Sequence, residues 1–246
     1  MDRPATDPLV PQAAAQPTGT DAGGGAGAEA PTDWLIDADD PLLTPDRLAR
    51  VADPALPDRL AWNTFRTLAL WDTDAWVPRL LELACGADVP IVTADWTRAS
   101  VTPWAVGPFE TPDAVDVVDV VLDGPEAYVV LACDGHGDPS EEQLRAGAIA
   151  ALDGSLREAR LAGLVVVVPP GTEGVDDRLQ VATETELMDG RIAIDLMGDA
   201  IGWVSWTDVA RIALDLAEEG DPDVAPVDMV HELVTELQQL YPDATI

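Results

Sequence analysis

The residues able to do chemistry crowd the middle of the 246-residue chain. The stretch EAYVVLACDGHGDPSEEQLR, residues 126–145, closes an apolar run on Ala132, Cys133 and Asp134. It then crosses a glycine-rich turn carrying His136 and opens a helix at Ser140. Cys133, Asp134 and His136 are of metal-ligand type; the alternative is a small buried thiol beside loop residues. Upstream, Asp113 and Asp119 are an even number of residues apart, so in a strand they share a face. Asp119 and Asp134, with Glu82 or Glu110, could gather a hard cation such as Mg²⁺ or Mn²⁺. The same acids equally suit the solvated rim of a sheet. VVVVPPGTEG follows a strand pattern but lacks the lysine of a phosphate loop, and no serine or cysteine stands in a nucleophile motif.

These residues need a sheet to hold them. AVDVVDVVL (114–122) and AYVVLAC (127–133), joined by Gly124-Pro125, predict an antiparallel hairpin. LVVVVPP (164–170) is the continuous apolar run of a strand buried on both faces. VPIVTADW (89–96) alternates in part and predicts a further strand, with a loop to Thr111 after it. RLQVATETEL (178–187) and GRIAIDLM (190–197) predict two more. Helices are predicted over 45–52 from Thr44-Pro45, over 57–71, and over 73–86 with a cap at Thr73 or Asp74 and a stop at Gly86. Ser140 and Gln143 form a capping-box pattern opening a helix that runs to Gly163, and Ser205 with Asp208 repeats the device. Val230, Leu233, Val234, Leu237 and Leu240 recur at helical spacing. The expected fold is α/β: a mixed central sheet flanked by helices, with a C-terminal strand-pair and two-helix extension. Residues 1–32 are Ala, Gly and Pro with little to bury, and are expected as a disordered tail. Residues 33–246 are expected as one domain, its core over about 57–170 and its extension over 171–246.

The order helix, strand, strand, strand, helix, strand from 57 to 168, with TPDAVDVVDVVLDGPEAYVVLACDG and SEEQL at its centre, resembles the PD-(D/E)XK nuclease superfamily, the restriction-endonuclease-like fold. The resemblance covers about half of the chain. It implies two carboxylates on Mg²⁺, an attacking water activated by the metal, and a lysine beside them that orients this water and offsets charge. Pro112-Asp113 matches the family's Pro-Asp pair in letters, and Asp119 matches better in spacing. Ala132 falls where the metal-binding acid belongs and Asp134 where the lysine belongs; Gln143 matches the glutamine of the following helix. Alanine cannot bind a metal, and aspartate cannot replace a cation. The chain has no lysine anywhere, so none can be supplied from another element. Arg145 or Arg160 could bring charge but could not act as a base. The resemblance therefore implies a degenerate nuclease that has lost its Glu-x-Lys pair. No cofactor is expected, with Mg or Mn required if a rearranged carboxylate site is active.

Composition bounds the partners. Against 46 acids stand 13 bases, a formal net charge of −33. Such a surface repels phosphate backbones, which disfavours nucleic-acid binding. Genomic coding bias, solubility or salt adaptation, an acidic surface for a basic protein partner, and a DNA mimic all produce it. Residues 171–246 alone hold 18 acids and three arginines, scattered rather than segregated. Eight tryptophans are present; Trp96 and Trp104 flank a loop and could be exposed interface anchors. His231 reads as a surface or half-buried residue of the last helix. No apolar run reaches the ~20 residues of a membrane helix, and MDRPATDPLV is no secretory signal, so a cytoplasmic protein is expected. Three functions stay open: a non-catalytic interaction or regulatory partner in a bacterial system, by analogy with the resembled family one built around nucleases or phage defence; a divergent metal-dependent nuclease; an acidic DNA-mimic inhibitor.

Overall fold

Two valine-rich runs set the centre of the molecule. In the computed structural model, which describes residues 40–53, 57–104, 120–135, 140–184, 197, 199–220 and 226–246, they are β3 (Ala127–Cys133) and β4 (Leu161–Val168). These strands lie parallel, with Ala127 opposite Leu161 and Cys133 opposite Val167. β2 (Val120–Asp123) pairs antiparallel with β3, and β1 (Ser100–Pro103) antiparallel with β2. β5 (Ile201–Ser205) runs parallel to β4, giving one mixed five-stranded sheet in the order β1-β2-β3-β4-β5. The fold is α/β, as the residue patterns predict.

Alternation along the strands splits the core into two layers. Val129, Leu131, Val165, Val167 and Val204 face α2 (Pro57–Leu68), α3 (Thr73–Cys85), α6 (Trp206–Glu219) and α7 (Val227–Leu240), meeting Phe65, Trp76, Leu80, Trp206 and Leu233. Val130, Ala132 and Leu164 face α4 (Glu141–Leu156) through Ala148 and Ala151. Val166 and Val168 pack with Val175 and Leu179 of α5 (Val175–Glu184). α1 (Pro45–Ala52), capped by Thr44, lies on α2 and closes a small cluster of Leu43, Val51, Trp62 and Trp104.

Several predicted elements differ from those found. Residues 89–96 form no strand: Pro90–Thr93 is a 3-10 turn. Pro90 has no N–H to give a ladder, and the Trp96 indole donates back to the Ile91 carbonyl at 3.0 Å, closing the turn. The first strand comes later, in what reads as a loop. Pro103 sits there because β1 is an edge strand, where a missing donor is tolerated. α4 stops at Leu156 rather than Gly163, with Ala159 in the left-handed region (φ 54°) and Arg160 N–H on the Ser155 carbonyl at 2.9 Å. Gly163 lies inside β4, where a Cβ would come within 3.1 Å of Val129. Residues 178–184 are helix rather than strand, and 185–187 lie outside the described residues: parallel neighbours β4 and β5 need a crossover, and α5, with Asp176 and Asp177 in its first turn, forms part of it. The α3 cap is Asp72, not Thr73 or Asp74. Of the strand predicted over 190–197, all but Met197 lies outside the described residues.

Candidate functional site

In open α/β sheets, ligands gather beyond the carboxyl ends of parallel strands. Here β3, β4 and β5 bring Asp134, Pro169 and Ser205 to that end, and α4 and α6 begin there on two capping boxes. Ser140 Oγ accepts from Gln143 N–H while Gln143 Oε1 accepts from Ser140 N–H at 2.8 Å. Ser205 and Asp208 do the same. Gln143 is therefore a capping residue, exposed to solvent.

The two positions of the resembled catalytic pair meet different neighbours. Ala132 is 7% exposed and packs under α4 with Val130, Ala148 and Ala151. Asp134 lies one residue past the strand. Its N–H extends the ladder to the Val167 carbonyl at 2.7 Å, and its carbonyl accepts from the Trp206 indole N–H at 3.0 Å. The next carbonyl, Gly135, accepts from the Tyr241 hydroxyl at 3.2 Å. Burial, then the Asp134 carboxylate, push the Tyr241 phenol up to about 12. The sequence holds no local signal for this double tie, because Trp206 and Tyr241 are 72 and 106 residues from the carbonyls they hold. A cleft of about 520 Å³ opens beside it between Pro170, Gly171, Thr207 and the chain end from Leu240 to Thr245.

The other described candidates are spread over both ends of the sheet and its helices. Arg160 sits at the opposite end of the sheet, bound to Asp123, the Gly124 carbonyl at 2.8 Å and the Gly154 carbonyl at 3.1 Å, over the Tyr128 ring. Arg145 is half-buried on α4, Glu82 is exposed on α3, and His231 is exposed on α7. Cys133 is half-buried against the α6 side of the sheet. Cys85 ends α3, its thiol pushed up to about 11 by burial. Asp113, Asp119, Glu110 and His136 lie outside the described residues; Val120, next to Asp119, pairs with Leu131, next to Ala132. At the positions of the pair the described residues offer one carboxylate, which does not fit an ion that wants several oxygen ligands. Among the described residues no three of His, Cys, Asp and Glu cluster for a metal.

Trp96 and Trp104 are not exposed anchors: they are 1% and 4% exposed. Trp96 also receives a hydrogen bond on its carbonyl from Thr73. Trp104 stacks on Trp62 with centroids 5.2 Å apart, with Arg66 over Trp62 at 4.6 Å and Arg47 over Trp104 at 5.9 Å. Both serve packing, since an indole beside a forming sheet removes more apolar area from water than a smaller side chain would.

The carboxyl end of the parallel strands thus carries acids and tied carbonyls. No helix here is long and apolar enough to cross a membrane, among the described residues. No known protein family, no curated protein and no solved structure matches the chain.

Proposed function

We propose that the chain is a catalytically silent protein of restriction-endonuclease-like type, acting as an interaction or regulatory partner in a bacterial system, one built around nucleases or phage defence by analogy with the family. The observation that carries this reading is the end of β3. Where the family needs a metal-binding acid stands Ala132, packed into the core, and the backbone at Asp134 and Gly135 is tied down by Trp206 and Tyr241. The chain lacks the lysine with which the family offsets the charge that builds on a phosphate under attack. A net charge of −33 adds repulsion of a nucleic-acid substrate and favours a basic protein partner. The cytoplasm is the compartment this reading assigns.

Incubating the full chain with plasmid and single-stranded DNA in Mg²⁺ or Mn²⁺, beside Asp119→Asn and Asp134→Asn, tests the reading. No cleavage by any of the three is expected. Cleavage by the parent that disappears in either variant would instead mean a rebuilt carboxylate nuclease.

A further inference from the structure

We propose that the groove at the amino ends of β4 and β5 docks a basic, amphipathic segment of a protein partner; this rests on the reading of the chain as an interaction protein. The groove lies at the end of the sheet away from Asp134. It encloses about 390 Å³ between the last turn of α4, the start of β4 and the turn at Val89–Ile91. Leu156 and Leu161 line it and are 65% and 40% exposed, two of four large apolar side chains so exposed among the described residues. They flank the single turn between α4 and β4, and Pro90, Ile91 and Leu152 continue the apolar wall. Large apolar side chains held together in water mark contact with another molecule.

Charge selects the occupant. Of the local arginines, Arg160 lines the groove with its side chain 8% exposed and paired with Asp123, and Arg157, 64% exposed, pairs with Asp153 at 3.6 Å. Acids face outward. Asp199 lines the groove and is exposed, the Glu158 side chain is 68% exposed, and exposed Asp88 precedes Val89. A second copy of this chain would bring the same acids to the contact. A segment with large apolar side chains on one face and Lys or Arg on the other satisfies both the wall and the rim.

The probe is a synthetic helix-forming peptide with leucines along one face and lysines on the other, followed by fluorescence anisotropy with the full chain at about 0.15 M salt. Its control carries glutamate for lysine. Leu156→Asp and Leu161→Asp are compared with Leu70→Asp, a leucine 56% exposed just past α2, with circular dichroism to check folding. Affinity for the lysine peptide should fall tenfold or more in the two groove variants, although each adds a negative charge. It should hold in Leu70→Asp, and the glutamate peptide should not bind. Equal binding by all variants would overturn the groove while leaving the interaction reading intact, as would no binding by the parent. A parent that self-associates in sedimentation, with Leu161→Asp monomeric, would give the groove to a second copy and equally overturn the proposal. DNA cleavage, measured separately, bears on the function alone.

Discussion

Glu236 is the one acid buried among the described residues, and its surroundings show how a single side chain sets a pH response. Its Oε2 accepts from the Asn63 amide at 2.8 Å and its Oε1 lies 3.2 Å from Arg59 Nε. Burial still raises its pKa above the ordinary 4.5, against the opposing pull of Asn63 and Arg59. The folded protein therefore holds this proton more tightly than the unfolded chain does. Its contribution to stability is complete below the ordinary value and is lost as pH climbs through the folded one. Glu236→Gln keeps an acceptor for Asn63 and removes the titration. Urea unfolding from about pH 4 to about pH 7 should show the parent losing stability relative to the variant as pH rises. A difference that stays constant with pH would place the titration elsewhere. Gln143 and the two loop tryptophans make a related point. Each has a residue type that suits a site, yet each is accounted for by its immediate partners: a helix cap in one case, the core in the others.

Between elements, α3 lies close against β5 at Gly202. A Cβ on Gly202 would overlap the Ala84 carbonyl, which belongs to the last turn of α3 and cannot swing aside as a side chain can. Gly202→Ala should cost about 2 to 3 kcal/mol in urea denaturation, and a cost near zero would mean that α3 slides freely over the sheet. The same helix layer explains why the end of β3 is closed. α6 starts on the Ser205 cap with Trp206 fully buried, and α7 is followed directly by its C-cap Tyr241, so both arrive at the carbonyls of Asp134 and Gly135 as consequences of helix packing. In this protein the C-terminal helices are part of the site that the β3 sequence suggests.

For the whole molecule the governing quantity is charge. With a net charge of −33, like charges across the surface oppose compaction. Raising ionic strength from about 0.01 to about 0.15 M shortens the screening length from about 30 to about 8 Å. The melting temperature should therefore rise over that range, and the rise should be largely complete near physiological salt. A melting temperature that falls with salt would mean that attractive pairs, such as Arg79 with Glu219 at 2.6 Å, outweigh the repulsion.

Local patterns determined much of this protein. The valine runs dictated the buried parallel strands, Ser140 with Gln143 and Ser205 with Asp208 dictated two helix starts, and 3.6-residue spacing dictated α7. The absence of lysine excluded one catalytic chemistry outright. These features act within a few residues, where sterics and hydrogen bonding leave few choices. The tertiary structure decided the rest. An edge position made a strand of the segment containing Pro103, and a parallel crossover made a helix of the segment from Val175. Burial took Trp96 and Trp104 off the surface, and two contacts across 72 and 106 residues tied the end of β3. In each case the deciding energy is area removed from water, or a hydrogen bond made, between segments far apart in the chain, and no local pattern carries that information.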